Sequence, residues 1–149
     1  MALKNPNVAD RSDTTFFLGP IGDNEANKTL STKTPYKKDF VTGATVNALR
    51  IVKYGTAPAV IQGAAATDAL LGVTTNEVAA VTGDYVDVIM SGEATVTAGA
   101  AVAAGALVTS DATGRAVTAA ATNGCIGRAL TAAAAADETI TIFVSICTA

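Results

Sequence analysis

Alternation of apolar and polar positions is clearest at the end of the chain. From Thr139 to Cys147, Ile140, Ile142, Val144 and Ile146 fall on one side, and Thr139, Thr141, Phe143 and Ser145 on the other. A period of two over that length predicts a strand with one buried face. Tyr85 to Met90 predicts a second strand, in which Val86, Val88 and Met90 alternate against Asp87. Thr45 to Tyr54 predicts a third. Leu107 to Thr109 and Arg115 to Thr118 flank Ser110-Asp-Ala-Thr-Gly114. That arrangement predicts a hairpin whose Gly114 adopts the left-handed conformation. Ala is the strongest helix former, yet Gly, Thr and Val interrupt nearly every Ala-rich window. The exception is Arg128 to Glu138, with five consecutive Ala. An isolated helix of that length is marginal in water, so a loop or single turn is expected. The predicted fold class is all-β.

The pattern recurs within the chain. Ala65-Ala66-Thr67 matches Ala120-Ala121-Thr122, and Leu71-Gly72 matches Ile126-Gly127. Gly83-Asp84 then matches Asp137-Glu138, and Val86-x-Val88 matches Ile140-x-Ile142. Each copy, about 65–90 and 120–144, reads as an apolar-Gly step, an Ala-rich link, an acidic residue and an alternating strand. Two copies are too few for a solenoid and suggest a pseudo-symmetric small barrel or clip of strands. The character of the chain changes near residue 41. Residues 1–40 carry six basic and five acidic groups and three of the four Pro, with apolar clumps that follow neither period. They predict an extended N-terminal arm, disordered in the free protein, because those clumps cannot offset an ordering cost of about 1–2 kcal/mol per residue. Residues 41–149, with four basic and eight acidic groups, predict the folded domain.

Composition removes most chemistry. The chain of 149 residues has no His, two Cys and a net charge of −3. Without His there is no Ser-His-Asp or Cys-His arrangement, and the commonest metal ligand is missing. Cys125 and Cys147 are too few for a thiolate zinc site. The negative charge argues against nucleic acid as a partner. The longest stretch without polar side chains, Ala98 to Val108, is too short for a membrane-spanning helix. The start, MALKNPNVADR, lacks the apolar core of a signal peptide. Synthesis in a cytoplasm follows, where a structural disulfide is not expected. Cys125 then reads as a small core residue. The carboxylate pairs Asp84/Asp87 and Asp137/Glu138 read as solvated turns before strands, and Gly99 to Gly105 as a tight turn, since no Gly-Lys-Ser/Thr follows. Lys28, Lys33, Lys37 and Lys38 form a loose basic run, either a solvated tail or a surface that docks on an acidic protein.

The order of these elements carries a resemblance. Leu71-Gly72-Val73, Gly83-Asp84-x-Val86-x-Val88, Ser91-Gly92-Glu93-Ala94, Gly99 to Gly105, Asp111-x-x-Gly114-Arg115 and Ile126-Gly127 before the last strand resemble tailed-phage capsid cement, or head decoration, proteins of the lambda type. The resemblance covers roughly residues 44–147. It implies a β-clip or small β-barrel fold, a structural role without catalysis, cofactor or metal, and a seat on the capsid exterior against the major capsid protein. Trimers at threefold or quasi-threefold sites are implied as well. An N-terminal arm in such proteins grips the shell, so Phe16, Phe17, Leu18, Pro20, Lys28, Lys33, Tyr36, Lys37, Lys38 and Phe40 are the candidate capsid-binding residues. Phe143 lies among Thr and Ser and needs either a neighbouring subunit or the chain's own loops to cover it; self-association is expected there. Two other readings are a small-molecule-binding or enzymatic β-clip domain, and a fibre or surface-layer module.

Overall fold

Thirteen residues from Tyr85 to Thr97 form the longest strand, and the other strands are arranged about it. The computed structural model describes residues 35–148. Its strands are β1 (Tyr36–Val41), β2 (Ile51–Tyr54), β3 (Val60–Gln62), β4 (Leu70–Thr74), β5 (Tyr85–Thr97), β6 (Leu107–Ser110), β7 (Ala116–Thr118), β8 (Gly124–Ala129) and β9 (Thr139–Thr148). They pair in the order β3-β2-β4-β5-β9-β8-β6-β7, with β1 also on β5. The described residues are all-β, as the alternation predicts.

The internal repeat is much more extensive than the sequence matches. Residues 36–91 hold β1 to β4 and the first part of β5; residues 92–148 hold the rest of β5 and β6 to β9. These two modules share one set of pairings. Phe40 opposite Val86 is repeated by Val96 opposite Ile140. The row Ile51, Val73, Ile89 is repeated by Leu107, Arg128, Phe143. The isolated bridges Thr42–Val60 and Val46–Ala80 recur as Ala98–Ala116 and Val102–Ala133. Each module also has the same core. Phe40, Val46, Val52, Val60, Leu71, Ala80, Val86 and Val88 cluster in the first. Their counterparts Val96, Val102, Val108, Ala116, Ile126, Ala133, Ile140 and Ile142 cluster in the second, together with Ile51, Leu70, Val73 and Ile89 from the first module. The back of the first module therefore closes the core of the second.

Several expectations are refined. The strand that begins at Tyr85 does not stop at Ser91-Gly92; Gly92, at φ 109°, lets it turn and continue into the second module. Only Ile51–Tyr54 of the third predicted strand is regular, because Leu49 sits at φ 53° and Val46 makes an isolated bridge. The boundary expected at residue 41 falls inside the sheet: Tyr36, Lys37, Lys38 and Phe40 lie on β1, held by antiparallel pairing to β5. Ile146 is exposed, unlike Ile140, Ile142 and Val144. Pairing of β5 with β9 ends at Val144, and the β8–β9 register shifts between Cys125 and Gly127, so Ile146 lies beyond the core. The β6–β7 hairpin and the loop after Ala129 match the sequence reading. The thiols do not. β8 and β9 place Cys125 opposite Cys147 at a Cα separation of 5.0 Å, and the two form a disulfide.

The apolar-Gly steps have a steric cause. A Cβ on Gly72 would meet the Ile89 carbonyl, and one on Gly127 the Phe143 carbonyl, each well inside van der Waals contact with backbone that cannot move aside. Glycine is required at the same position of both modules because the neighbouring strand crosses directly over it. Gly72→Ala and Gly127→Ala are each expected to cost at least about 2 kcal/mol of unfolding free energy in denaturant titrations. Wild-type stability in either variant would contradict this packing.

Candidate functional site

The candidate residues on β1 divide between core and surface. Phe40 is only 6% exposed and packs edge to face on Tyr54, with ring centroids 6.0 Å apart. Phe40 is thus a core residue of the first module, not a free anchor, because pairing with Val86 turns it inward. Lys38 stands over it, its Nζ 5.7 Å from the ring centroid. Tyr36 is exposed. Lys37 is 2.7 Å from Asp87 Oδ2, across the β1–β5 ladder. Phe16, Phe17, Leu18, Pro20, Lys28 and Lys33 lie outside the described residues.

A shallow groove of about 330 Å³ opens beside β1, lined by Lys38, Asp39, Phe40, Val41, Tyr54, Pro58 and Tyr85. Tyr85 is 79% exposed, and Tyr36 and Tyr54 are also exposed, so all three Tyr of the chain are surface groups of the first module. At the corresponding positions the second module has Gly92, Ser110 and Thr139. Sequence reading missed Tyr54 and Tyr85, since only the β1–β5–β4–β2 pairing brings them to one place. Asp39 faces Asp87 across the ladder. The Asp87 carboxylate is held below its ordinary pKa by hydrogen bonds from Lys37 and Asp39, and Asp39 is raised by its hydrogen bond to Asp87 and by that neighbour's charge.

Other acidic groups serve the backbone. Asp84 Oδ2 accepts from the Val81 N–H at 2.9 Å, and Glu138 Oε1 from the Ala134 N–H at 2.9 Å, so both cap turns at matching places. Asp87 is a residue of β5, as the alternation from Tyr85 to Met90 predicts, and it pairs with Lys37 rather than lying in a solvated turn. Asp111 accepts from the Thr113 and Arg115 N–H groups and from Arg115 Nε, and Arg115 Nη1 reaches Asp137 at 3.1 Å. Asp68 accepts from the Ala64 and Ala65 N–H groups and pairs with Lys53 at 2.9 Å. Among the described residues no three His, Cys, Asp or Glu gather as a metal site, and no helix is long and apolar enough to cross a membrane.

Phe143, the candidate for self-association, is 46% exposed on β9, between Glu93 of β5 and Arg128 of β8. Among the described residues no loop buries it. Leu130 and Ile146 are exposed as well.

Two expectations follow. Phe143→Ser should change unfolding free energy by less than about 1 kcal/mol, since half of the ring is already in water; a loss of several kcal/mol would mark it as core. Burial pushes the Asp111 and Asp68 carboxyls up, but hydrogen bonds from N–H groups and from Arg115 or Lys53 prevail and hold both below the ordinary 3.8. On acidification the unfolded chain therefore takes up these protons first. Their contribution, complete at neutral pH, is lost as the pH falls below about 4 and through the folded-state values. Urea midpoints measured from pH 6 to pH 3 should drop, and Asp111→Asn should flatten that drop. An unchanged slope in the variant would remove Asp111 from this account.

Comparison with known proteins places this arrangement. A family model described as phage cement protein matches residues 33–146. Among solved structures, the head fiber gp8.5 N base of bacteriophage phi29 is similar, with a TM-score of 0.57 and 19% identity over 75% of this chain and 95% of that chain. At that identity the likeness is one of fold. No curated protein matches.

Proposed function

We propose, for a chain that belongs to the phage cement protein family, that it sits on the outer surface of the capsid and ties neighbouring major capsid proteins together. A structural, capsid-stabilising role comes with the family; the outer face, the direct partner and the residues in contact are our reading. The match over residues 33–146 carries it, because it spans both modules and β1. The surface supports it. Tyr36, Lys37 and Lys38 of β1 present exposed aromatic and basic groups at the start of the folded region. In sequence, residues 1–34 precede β1. Fully extended, such a segment reaches on the order of 100 Å, far beyond the radius of the domain, so Phe16, Phe17, Leu18, Pro20, Lys28 and Lys33 are within reach of neighbouring subunits.

The domain self-associates in this reading, as a trimer at threefold or quasi-threefold positions of the shell, with Phe143 in the contact. The work is burial of surface, and no catalytic step is assigned. Synthesis in the host cytoplasm precedes addition to the shell, and the disulfide closes once the virion meets oxidising surroundings.

Purified protein should co-sediment with undecorated, expanded capsids and raise the temperature at which they rupture; no co-sedimentation at micromolar protein would sink the proposal. Replacing both Phe16 and Phe17 by Ala should weaken binding at least about tenfold, given about 1.5–3 kcal/mol for each buried side chain, with the thermal unfolding of the domain unchanged. Undiminished binding would shift the anchor to Tyr36, Lys37 and Lys38 of β1.

A further inference from the structure

The contact between the two modules is used once inside the chain, and its two halves each recur unused. Within the chain the first module seats on Thr97, Ser110 and Gly114 of the second. The Thr97 N–H donates to the Leu49 carbonyl at 3.1 Å, and the Ile51 N–H to the Gly114 carbonyl at 2.8 Å. A Cβ on Gly63 would strike Ser110 Oγ, so the surfaces touch there too. Ile51, Val73 and Ile89 supply the apolar side of the contact. By the shared pairing, the positions in the first module that match Thr97, Ser110 and Gly114 are Val41, Tyr54 and Pro58. These three line the groove beside β1. The positions in the second module that match Ile51, Val73 and Ile89 are Leu107, Arg128 and Phe143. Arg128 and Phe143 are exposed and Leu107 partly so.

One end of the chain thus carries a receiving surface with nothing seated on it among the described residues. The other end carries the matching inserting face. We infer that a second copy of this chain fills the groove: the Leu107–Arg128–Phe143 face of one copy docks on Val41, Tyr54 and Pro58 of the next, repeating the internal stacking. The inference rests on the reading that the domain self-associates, and it specifies the surfaces. Substitutions at the two ends agree with it. Where the internal socket is lined by Thr, Ser and Gly and receives aliphatic Ile51 and Ile89, the outer socket is lined by Tyr and Pro and is offered a Phe and an Arg, groups that pack on aromatic rings. A contact of this kind joins two different surfaces, so it propagates from copy to copy and closes into a ring when its rotation allows.

The test places a photo-reactive benzoylphenylalanine at position 143 of the full chain and irradiates it both at high concentration in solution and on decorated capsids. Chain-to-chain links that map to residues 54–58 or to Tyr85, in either setting, are the expected result. Tyr54→Asp should abolish them, as should Tyr85→Asp, whose exposed side chain leaves folding intact. Links joining the Phe143 regions of two copies, links to the capsid protein alone, or no chain-to-chain links in both settings overturn the inference. Sedimentation of the same irradiated samples reports shell binding separately. Binding without the expected links removes only this interface, whereas absence of binding removes the cement reading.

Discussion

A single strand that serves two stacked sheets must present opposite faces to one core. That constraint organises this protein. In β5, Ile89 points from the first module into the second core, while Val86 and Val88 point the other way into the first core. Further along, Ala94 and Val96 have the same strand parity as Val86 and Val88, yet lie in the second core. The strand therefore has to swivel between them, and Gly92 is where it does so, at a φ of 109° that side chains rarely adopt. Once the swivel is in place, the other strands follow by pairing: β4 and β1 on the first half, β9 on the second.

The two modules repeat the same turns as well as the same strands. Asp68 and Asn123 accept backbone N–H groups of Ala65 and Ala120 at matching turns. Gly83 and Asp137 both adopt positive φ at matching turns, 96° and 71°. Identity of the frame makes the differences informative. Tyr54, Pro58 and Tyr85 have small residues as counterparts, and those smaller residues include the positions covered by the other module. At Tyr54 and Pro58 bulk appears where the face is open, and their counterparts Ser110 and Gly114 are small where the face is closed.

Much of this could be read from sequence, and the limits have physical reasons. The all-β class, β9, the start of β5 and the β6–β7 hairpin follow from period-two patterns and from Gly114. The repeat was visible only where side chains face a core or where a strand crosses a glycine, as at Gly72 and Gly127. Elsewhere the modules share hydrogen bonds of the backbone, which leave no trace in residue type. Thr42 and Ala98 occupy the same bridge with different side chains. Ile146 departs from the alternation because the β8–β9 register shift between Cys125 and Gly127 breaks the parity there and β5 no longer pairs beyond Val144, neither of which a local pattern records. Phe40 and Tyr54 meet only through the β1–β5–β4–β2 pairing, which no local pattern encodes. The link between Cys125 and Cys147 depends on the β8–β9 register, and argument from cellular compartment pointed away from it.

That link also changes what a cut in the chain would mean. Cys125 and Cys147 are 22 residues apart and enclose the whole connection from β8 to β9. The connection is exposed along most of residues 130–138 and rich in Ala, the sort of segment that digestive enzymes reach first. A break there would leave both strands tethered by sulfur. The fragments would remain one covalent object, and would separate only when thiols are supplied together with denaturant.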